Sequence, residues 1–365
     1  MNRRDFLSSV SGAALLAGCA ASGKTQAREI MTVTGPIPAD QLGRTLIHEH
    51  VVVDFLGAGQ SSPQRYDPEQ AFDTALPHFQ ELHARGVDSL VECTPRYIGR
   101  NPTLLRRLSE ASGVRIITNA GWYAAVDHKY LPPAAATESA GQIAEQWLAE
   151  WTAGIEGTGI RPGFLKLGTG NGPLPAVDAT LVRAAARVHK ATGLTIAIHT
   201  GNGEAARDEV RLLREEGVRP DALIWVHAQN DAGPVQIELA HQGVWISLDG
   251  YSLSPGNTLR YPNMVLALRD AGLLHRVLLS HDDGWAVEGD APSGNRLALF
   301  GNGNPVPYQS LFTRLLPDLR QRGLTPEDEE QLLVRNPREA LTLRRRLTGD
   351  ASGMKTAAAS LPFPA

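Results

Sequence analysis

Short apolar runs rich in branched residues recur along the chain. They alternate with longer stretches whose apolar positions follow helical spacing. Such runs read as strands buried on both faces, and the stretches between them as amphipathic helices. Strands are expected at 45–53, 89–94, 115–120, 163–167, 194–199, 222–227, 244–249 and 276–282. Helices are expected between them, among others at 68–85, 179–192 and 205–216. Gly86, Gly193 and Gly217 stand where a left-handed residue closes a helix. Eight strands in alternation with helices imply an α/β fold of the (β/α)8 TIM-barrel type. A doubly wound open sheet is the alternative, but no Gly-x-Gly-x-x-Gly turn follows an early strand.

The pattern also divides the chain. Residues 1–30 read as an export signal and tether, 31–347 as one barrel domain, and 348–365 as a small, Pro-containing flexible tail. Arg3 and Arg4 in a charged front, followed by a mildly apolar stretch too short for a membrane span, resemble a twin-arginine signal. Leu16-Ala17-Gly18-Cys19 resembles a bacterial lipobox, which makes Cys19 a lipidation site; the plainer reading is a small residue near a cleavage site. Export is therefore expected, with the mature protein periplasmic or held to a membrane through lipid at Cys19. With Cys93 as the only other cysteine, no disulfide framework is available. The net charge of -4 gives no electrostatic case for nucleic acid, so the expected partner is a small-molecule substrate. The oligomeric state stays open, a homodimer included.

Candidate chemistry clusters at strand ends. His48 and His50 are two apart in a β-type run, so both imidazoles are expected on one face. One buried, hydrogen-bonded histidine is the bland alternative. Lys166, His199, His227 and Asp282 end the fourth, fifth, sixth and eighth runs, on the barrel face where active sites are built. His48, His50 and Asp282 can hold one divalent cation, and His199 and His227 a second. Lys166, inside Phe164-Leu165-Lys166-Leu167, should be desolvated and its ammonium disfavoured. A neutral amine there can take up carbon dioxide, giving an N6-carboxylysine that bridges two cations; a lysine paired with a carboxylate is the alternative.

These segments together resemble the phosphotriesterase-like branch of the amidohydrolase superfamily. The resemblance runs from Gly35 to about Leu343. It is carried by Gly43-Arg44-Thr45-Leu46-Ile47-His48-Glu49-His50, Leu165-Lys166, Ile198-His199-Thr200, Val226-His227, Ser280-His281-Asp282 and Arg335-Asn336-Pro337 with Leu341. It implies a binuclear hydrolase with two divalent ions, zinc first, with manganese, cobalt or iron as alternatives. A metal-bridging hydroxide would attack a lactone, ester or phosphotriester, with Asp282 carrying the proton. By the same resemblance Tyr123, after the third strand, stands near the substrate oxygen; a packing aromatic at the mouth is the alternative. Trp122, Tyr251 and Trp285 are expected to line the mouth from their loop positions.

Some positions depart from the resemblance. Asp249 is followed by Gly250 and Tyr251 rather than a basic residue, and Asp231 is taken as the acidic partner in the loop after His227. The stretch from Asp283 to Pro307 is expected as a long pocket-shaping loop. His78, His83, His189 and His241 are placed on helices, facing solvent or the helix layer. His281 is expected to point away from the axis, Thr94, Gly99 and Arg100 to be structural, and Arg344-Arg345-Arg346 to be a solvated helix end. Competing readings are a phosphotriester hydrolase, a cyclic-amide hydrolase or deaminase, and a lipid-anchored protein that holds metal or ligand without turnover. Lys166 argues against a single-metal deaminase.

Overall fold

Apolar side chains on alternate faces of the strands separate into two packing layers. Ile47, Val91, Ile117, Phe164, Ala197, Ile224, Trp245 and Leu278 meet in one buried cluster. Their sequence neighbours Leu46, Leu90, Ile116, Leu165, Ile196, Leu223, Ile246 and Val277 belong to a second, larger one. The first is the interior of a barrel, and the second joins the strands to the helices around it.

The computed structural model describes residues 28–350, apart from residue 302. Arg3, Arg4 and Cys19, and nearly all of the expected C-terminal tail, lie outside the described residues. The barrel strands are β1 (Thr45–Glu49), β2 (Ser89–Glu92), and β3, interrupted at Thr118 (Arg115–Ile117 and Asn119–Ala120). They continue with β4 (Phe164–Gly168), β5 (Thr195–His199), β6 (Leu223–Val226), β7 (Trp245–Leu248) and β8 (Val277–Leu279). All neighbouring pairs are parallel: β1 with β2 with the first part of β3, and the second part of β3 on through β4 to β8. Closure comes from β1 and the end of β8, where Asp282 N donates to His48 O at 3.1 Å and His48 N to Ser280 Oγ at 3.0 Å. This is the (β/α)8 barrel of the sequence reading.

The helices outside it include α1 (Pro68–Ala84), α2 (Pro102–Ser112), α3 (Ala140–Ala153), α4 (Ala176–Thr192), α5 (Gly203–Glu215), α6 (Pro234–His241) and α7 (Pro255–Asp270). Gly193 closes α4 at φ 81°. The stretch expected as a long loop after β8 instead folds a hairpin, Gly284–Glu288 with Arg296–Phe300. Its first strand pairs in parallel with Val52–Val53, so the hairpin stands over the carboxyl ends of the barrel strands.

One expectation at the helix layer is corrected. Arg344–Arg346 is not helical. Arg346 is buried, and its Nη2 donates to the carbonyls of Glu339 and Ala340 at 2.8 and 3.1 Å. Peptide oxygens receive its guanidinium, and the Asp221 carboxylate lies 3.8 Å from its Nε. His189, in the helix layer, is fully buried. Its Nδ1 donates to Leu194 O at 2.8 Å and its Nε2 accepts Arg346 N at 2.8 Å.

Candidate metal centre and active site

Two local departures from regular strand geometry aim the ligand-type residues. Ile47 faces the interior, so strict alternation would send His48 outward. The register of β1 on β2 shifts between Leu46 and Glu49, and such an irregularity re-aims the side chains beyond it. His227 and Asp282 follow the ends of β6 and β8 in the left-handed region, at φ 61° and 63°. His and Asp are among the few non-glycine residues that tolerate it.

His48, His50, Lys166, His199, His227 and Asp282 consequently line one cavity of about 190 Å³. Three of the four imidazoles, those of His48, His50 and His227, have a hydrogen-bond partner behind the ring. Asp249, fully buried, accepts from His48 Nδ1 at 3.2 Å and from His227 Nδ1 at 2.7 Å. It also accepts the His227 backbone N–H at 3.1 Å and Gln229 Nε2 at 3.2 Å. The Thr94 hydroxyl gives its single proton to Glu92, and therefore accepts from His50 Nδ1 at 2.8 Å.

With Nδ1 engaged as donor, a neutral imidazole presents a lone pair at Nε2. The Nε2 atoms of His48, His50 and His227 lie 3.4, 3.0 and 3.8 Å from the Asp282 carboxylate oxygens. Lone pairs aimed at a carboxylate repel unless a cation or proton stands between them. This donor set therefore fits a divalent cation, and His48, His50 and Asp282 stand close enough to share one. His199 packs on His227 with ring centroids 4.4 Å apart, and Lys166 Nζ donates to Leu167 O at 3.3 Å.

Except at His227, the electrostatics agree with ligand roles. Burial lowers His48, more than Asp249 and Asp282 raise it. Burial, then His227, holds His199 well below the ordinary imidazole range. For His227 burial is outweighed by Asp249, so the net direction is upward. Burial would raise Asp249 and Asp282, but the facing imidazoles reverse both, Asp249 strongly. Desolvation lowers Lys166, which favours a neutral amine. Burial, and then the Asp282 charge, raises the Tyr123 phenol, which stays protonated.

The family model for the phosphotriesterase family matches residues 28–341. The chain belongs to the phosphotriesterase family. The phosphotriesterase homology protein of Escherichia coli (strain K12) is 30% identical over 305 residues, covering 82% of this chain and 97% of that one. The N-acetyltaurine hydrolase of Mus musculus is 26% identical, covering 87% and 98%. Among solved structures, an organophosphorus hydrolase from Deinococcus radiodurans superposes with TM-score 0.71 at 31% identity, covering 86% of this chain and 97% of that one. A PTE-like lactonase variant from the same organism gives 0.74 at 31%, covering 86% and 99%. The family consists of hydrolases that work with two metal ions, and the donor set just described suits that chemistry.

Around the phosphotriesterase-family ligands runs a wall of rings. His199 meets Tyr123 at 4.9 Å between centroids, Tyr123 meets Tyr130 at 5.7 Å, and Tyr130 meets Phe55 at 6.2 Å. Phe55 meets Phe300 at 5.5 Å, and Phe300 meets His50 at 5.6 Å. The arc joins the two ends of the ligand cluster. Gly168 makes room for it, since a Cβ there would lie 2.5 Å from the Tyr123 ring. Val53, Pro95, Ile98 and Cys93 complete the lining, and Lys166 is the only basic residue other than histidine in it.

Several expected site residues lie elsewhere. Trp122 packs edge-on against Trp147 and Tyr97, at 5.8 and 5.9 Å. Tyr251 is buried on Tyr261 at 5.4 Å. Trp285 sits between His78 and Tyr308, at 5.3 and 5.9 Å. None of the three lines the cavity; Trp122 and Tyr251 hold loops to the helix layer, and Trp285 holds the hairpin to it. Asp231 is not the partner of His227: its Oδ2 accepts Gly203 N at 2.9 Å, and Asp249 fills that role. An acidic residue at the end of β7 was the signal for it. His281 is buried, its Nδ1 on Glu49 at 2.7 Å. Phe55 and Phe300 had no signal in the sequence, because neither lies on a barrel strand.

Proposed function

We propose that this chain is a metal-dependent hydrolase of a lactone or related carboxylic ester. The reading rests on three imidazole Nε2 atoms converging on Asp282 beside a desolvated lysine, under an aromatic wall that includes Tyr123. Two divalent cations, zinc first, would be held by His48, His50, His199, His227, Asp282 and a carboxylated Lys166. When bound, they would supply Lewis acidity and acidify a water molecule.

The chain's own residues do the rest. Asp282 takes a proton from the attacking water and returns it to the leaving oxygen. Asp249 and Thr94 fix the rings of His48, His227 and His50, so that no reorientation is needed during the reaction. Tyr123, protonated, offers a hydrogen bond to the carbonyl or leaving-group oxygen, where negative charge develops. The rings of Phe55 and Phe300, with Tyr130 packed behind Phe55, limit water around the reacting bond.

The lining also bears on the alternatives. N-acetyltaurine, the substrate in the name of several relatives, carries a sulfonate, and the cavity offers it no arginine and no lysine beyond Lys166. A phosphotriester brings three substituents into about 190 Å³. The test is a hydrolysis screen of metal-loaded protein across lactones, esters, phosphotriesters, cyclic amides and N-acetyltaurine, with Asp282→Asn as control. The best lactone should exceed every phosphotriester in kcat/KM, and the control should be inactive. A phosphotriester or amide turned over better than any lactone or ester would overturn the assignment.

A further inference from the structure

We propose that His128, which does not line the cavity, is a positioning residue that sets the aromatic wall of the active site. The inference rests on the hydrolase reading above and concerns how that site receives an apolar substrate.

The observation is a run of three successive non-glycine residues in the left-handed region: Val126, Asp127 and His128, at φ 61°, 52° and 60°. Such a run is unfavourable for L-residues, above all for β-branched Val126, and persists only where its surroundings impose it. Val126 is exposed, so burial of its side chain does not drive the turn. Backbone bonds from His128 N to Ala124 O at 3.1 Å and from Leu131 N to His128 O at 2.9 Å shape it. Its side-chain tie to the barrel is made by His128. Its Nε2 lies 2.7 Å from Asp178 Oδ1, at the start of α4. Asp178 is buried, and its other oxygen accepts Gly170 N at 3.1 Å, in the loop leaving β4. The clip therefore spans the loop after β3 and the loop after β4.

Its location gives it leverage. The turn lies between Tyr123 and Tyr130, the two adjacent rings of the wall. Tyr123 on one side is seated against Gly168 and His199. Tyr130 on the other packs on Phe55, and Lys129 O accepts Ala58 N at 3.2 Å in the loop after β1. Releasing His128 lets the turn relax toward ordinary backbone geometry and withdraws Tyr130 from behind Phe55 and Tyr123, the two cavity-lining rings it supports. The ligand residues sit on strand ends that this movement does not touch. Substrate binding should therefore suffer while the chemical step is kept.

The experiment compares wild type, His128→Ala and His128→Gln, all metal-loaded; the glutamine amide can still donate to Asp178. Losing one charge-assisted bond should raise KM for the best bulky lactone or ester about tenfold in His128→Ala, with kcat within about twofold. Metal content should be unchanged. Hydrogen exchange of the 124–131 amides should quicken by about tenfold, and His128→Gln should recover most of both effects. Unchanged KM and exchange in His128→Ala overturn the proposal. So does a joint fall of kcat and metal content, which would make the residue merely structural. If wild type turns over nothing in the panel, the hydrolase reading fails by itself, while the exchange comparison still decides whether the clip holds the turn.

Discussion

Substituting His189 with asparagine should make the stability of the protein less dependent on pH. Burial, opposed only in part by its backbone hydrogen bonds, lowers the His189 pKa to about 4 from an ordinary 6.5. Its two ring nitrogens are already used, one donating to Leu194 O and one accepting Arg346 N. Protonation would put a second N–H against a donor. The unfolded chain takes up the proton near pH 6.5 and the folded chain does not until about pH 4. Stability is therefore full above pH 6.5 and declines as the pH falls through that window. At about 1.4 kcal/mol per pH unit the whole window is worth about 3 kcal/mol, of which about 2 kcal/mol is lost by pH 5. In His189→Asn the side-chain amide can still reach Leu194 O, but Arg346 N loses its acceptor. The variant should be about 1–3 kcal/mol less stable at pH 7.5. That deficit should shrink by about 2 kcal/mol at pH 5, because only the wild type carries the histidine penalty. Urea unfolding of both proteins at the two pH values, under the same metal loading, measures the difference. Parallel stability–pH curves would refute the argument and mean that His189 titrates in the folded protein much as it does in solution.

Removing only the phenol oxygen, in Tyr123→Phe, should lower kcat on the best lactone by about tenfold to a hundredfold, or about 1.4 to 2.7 kcal/mol of transition-state stabilisation, with an unchanged rate assigning the ring to packing. Purified protein should carry about two divalent cations by elemental analysis, and Lys166→Ala should lose metal and activity while Lys166→Glu keeps part of both; one tightly held metal with no gain on bicarbonate addition would remove the lysine bridge. Cys19→Ser should shift the protein from membranes to a soluble fraction or block its processing, whereas cytoplasmic protein with its first residues intact would rule out the export reading.

The sequence pattern located the barrel strands to within a few residues, because strands buried on both faces leave continuous apolar runs bounded by turns. It also placed six ligand-type residues at strand ends, and the structure gathers those six around one cavity. What it could not supply was how side chains are aimed where regularity breaks. His48 reaches the interior through the register shift in β1, and His227 through a single left-handed residue; simple alternation anticipates neither. Contacts between distant segments were equally hidden. The grip of Asp249 on two histidines, the return of Phe300 on a hairpin, and the burial of Arg346 against carbonyls depend on where loops come back. Trp122, Tyr251 and Trp285 show the opposite error: a large ring on a loop suggests a substrate contact, yet its area is as readily used to fasten that loop to a helix.

The left-handed backbone at His227 and Asp282 carries a consequence for how this protein can vary. At both positions a replacement must satisfy the ligand chemistry and also sit in a conformation that few side chains other than glycine, asparagine, aspartate and histidine occupy cheaply. Glutamate or cysteine, each able to bind a cation, would arrive there with a conformational handicap unrelated to the ion. A randomised library at these two sites should therefore yield a narrower set of working variants than one at Lys166, whose strand backbone is permissive. The repertoire open to selection would be limited by the peptide chain before the metal exerts any preference.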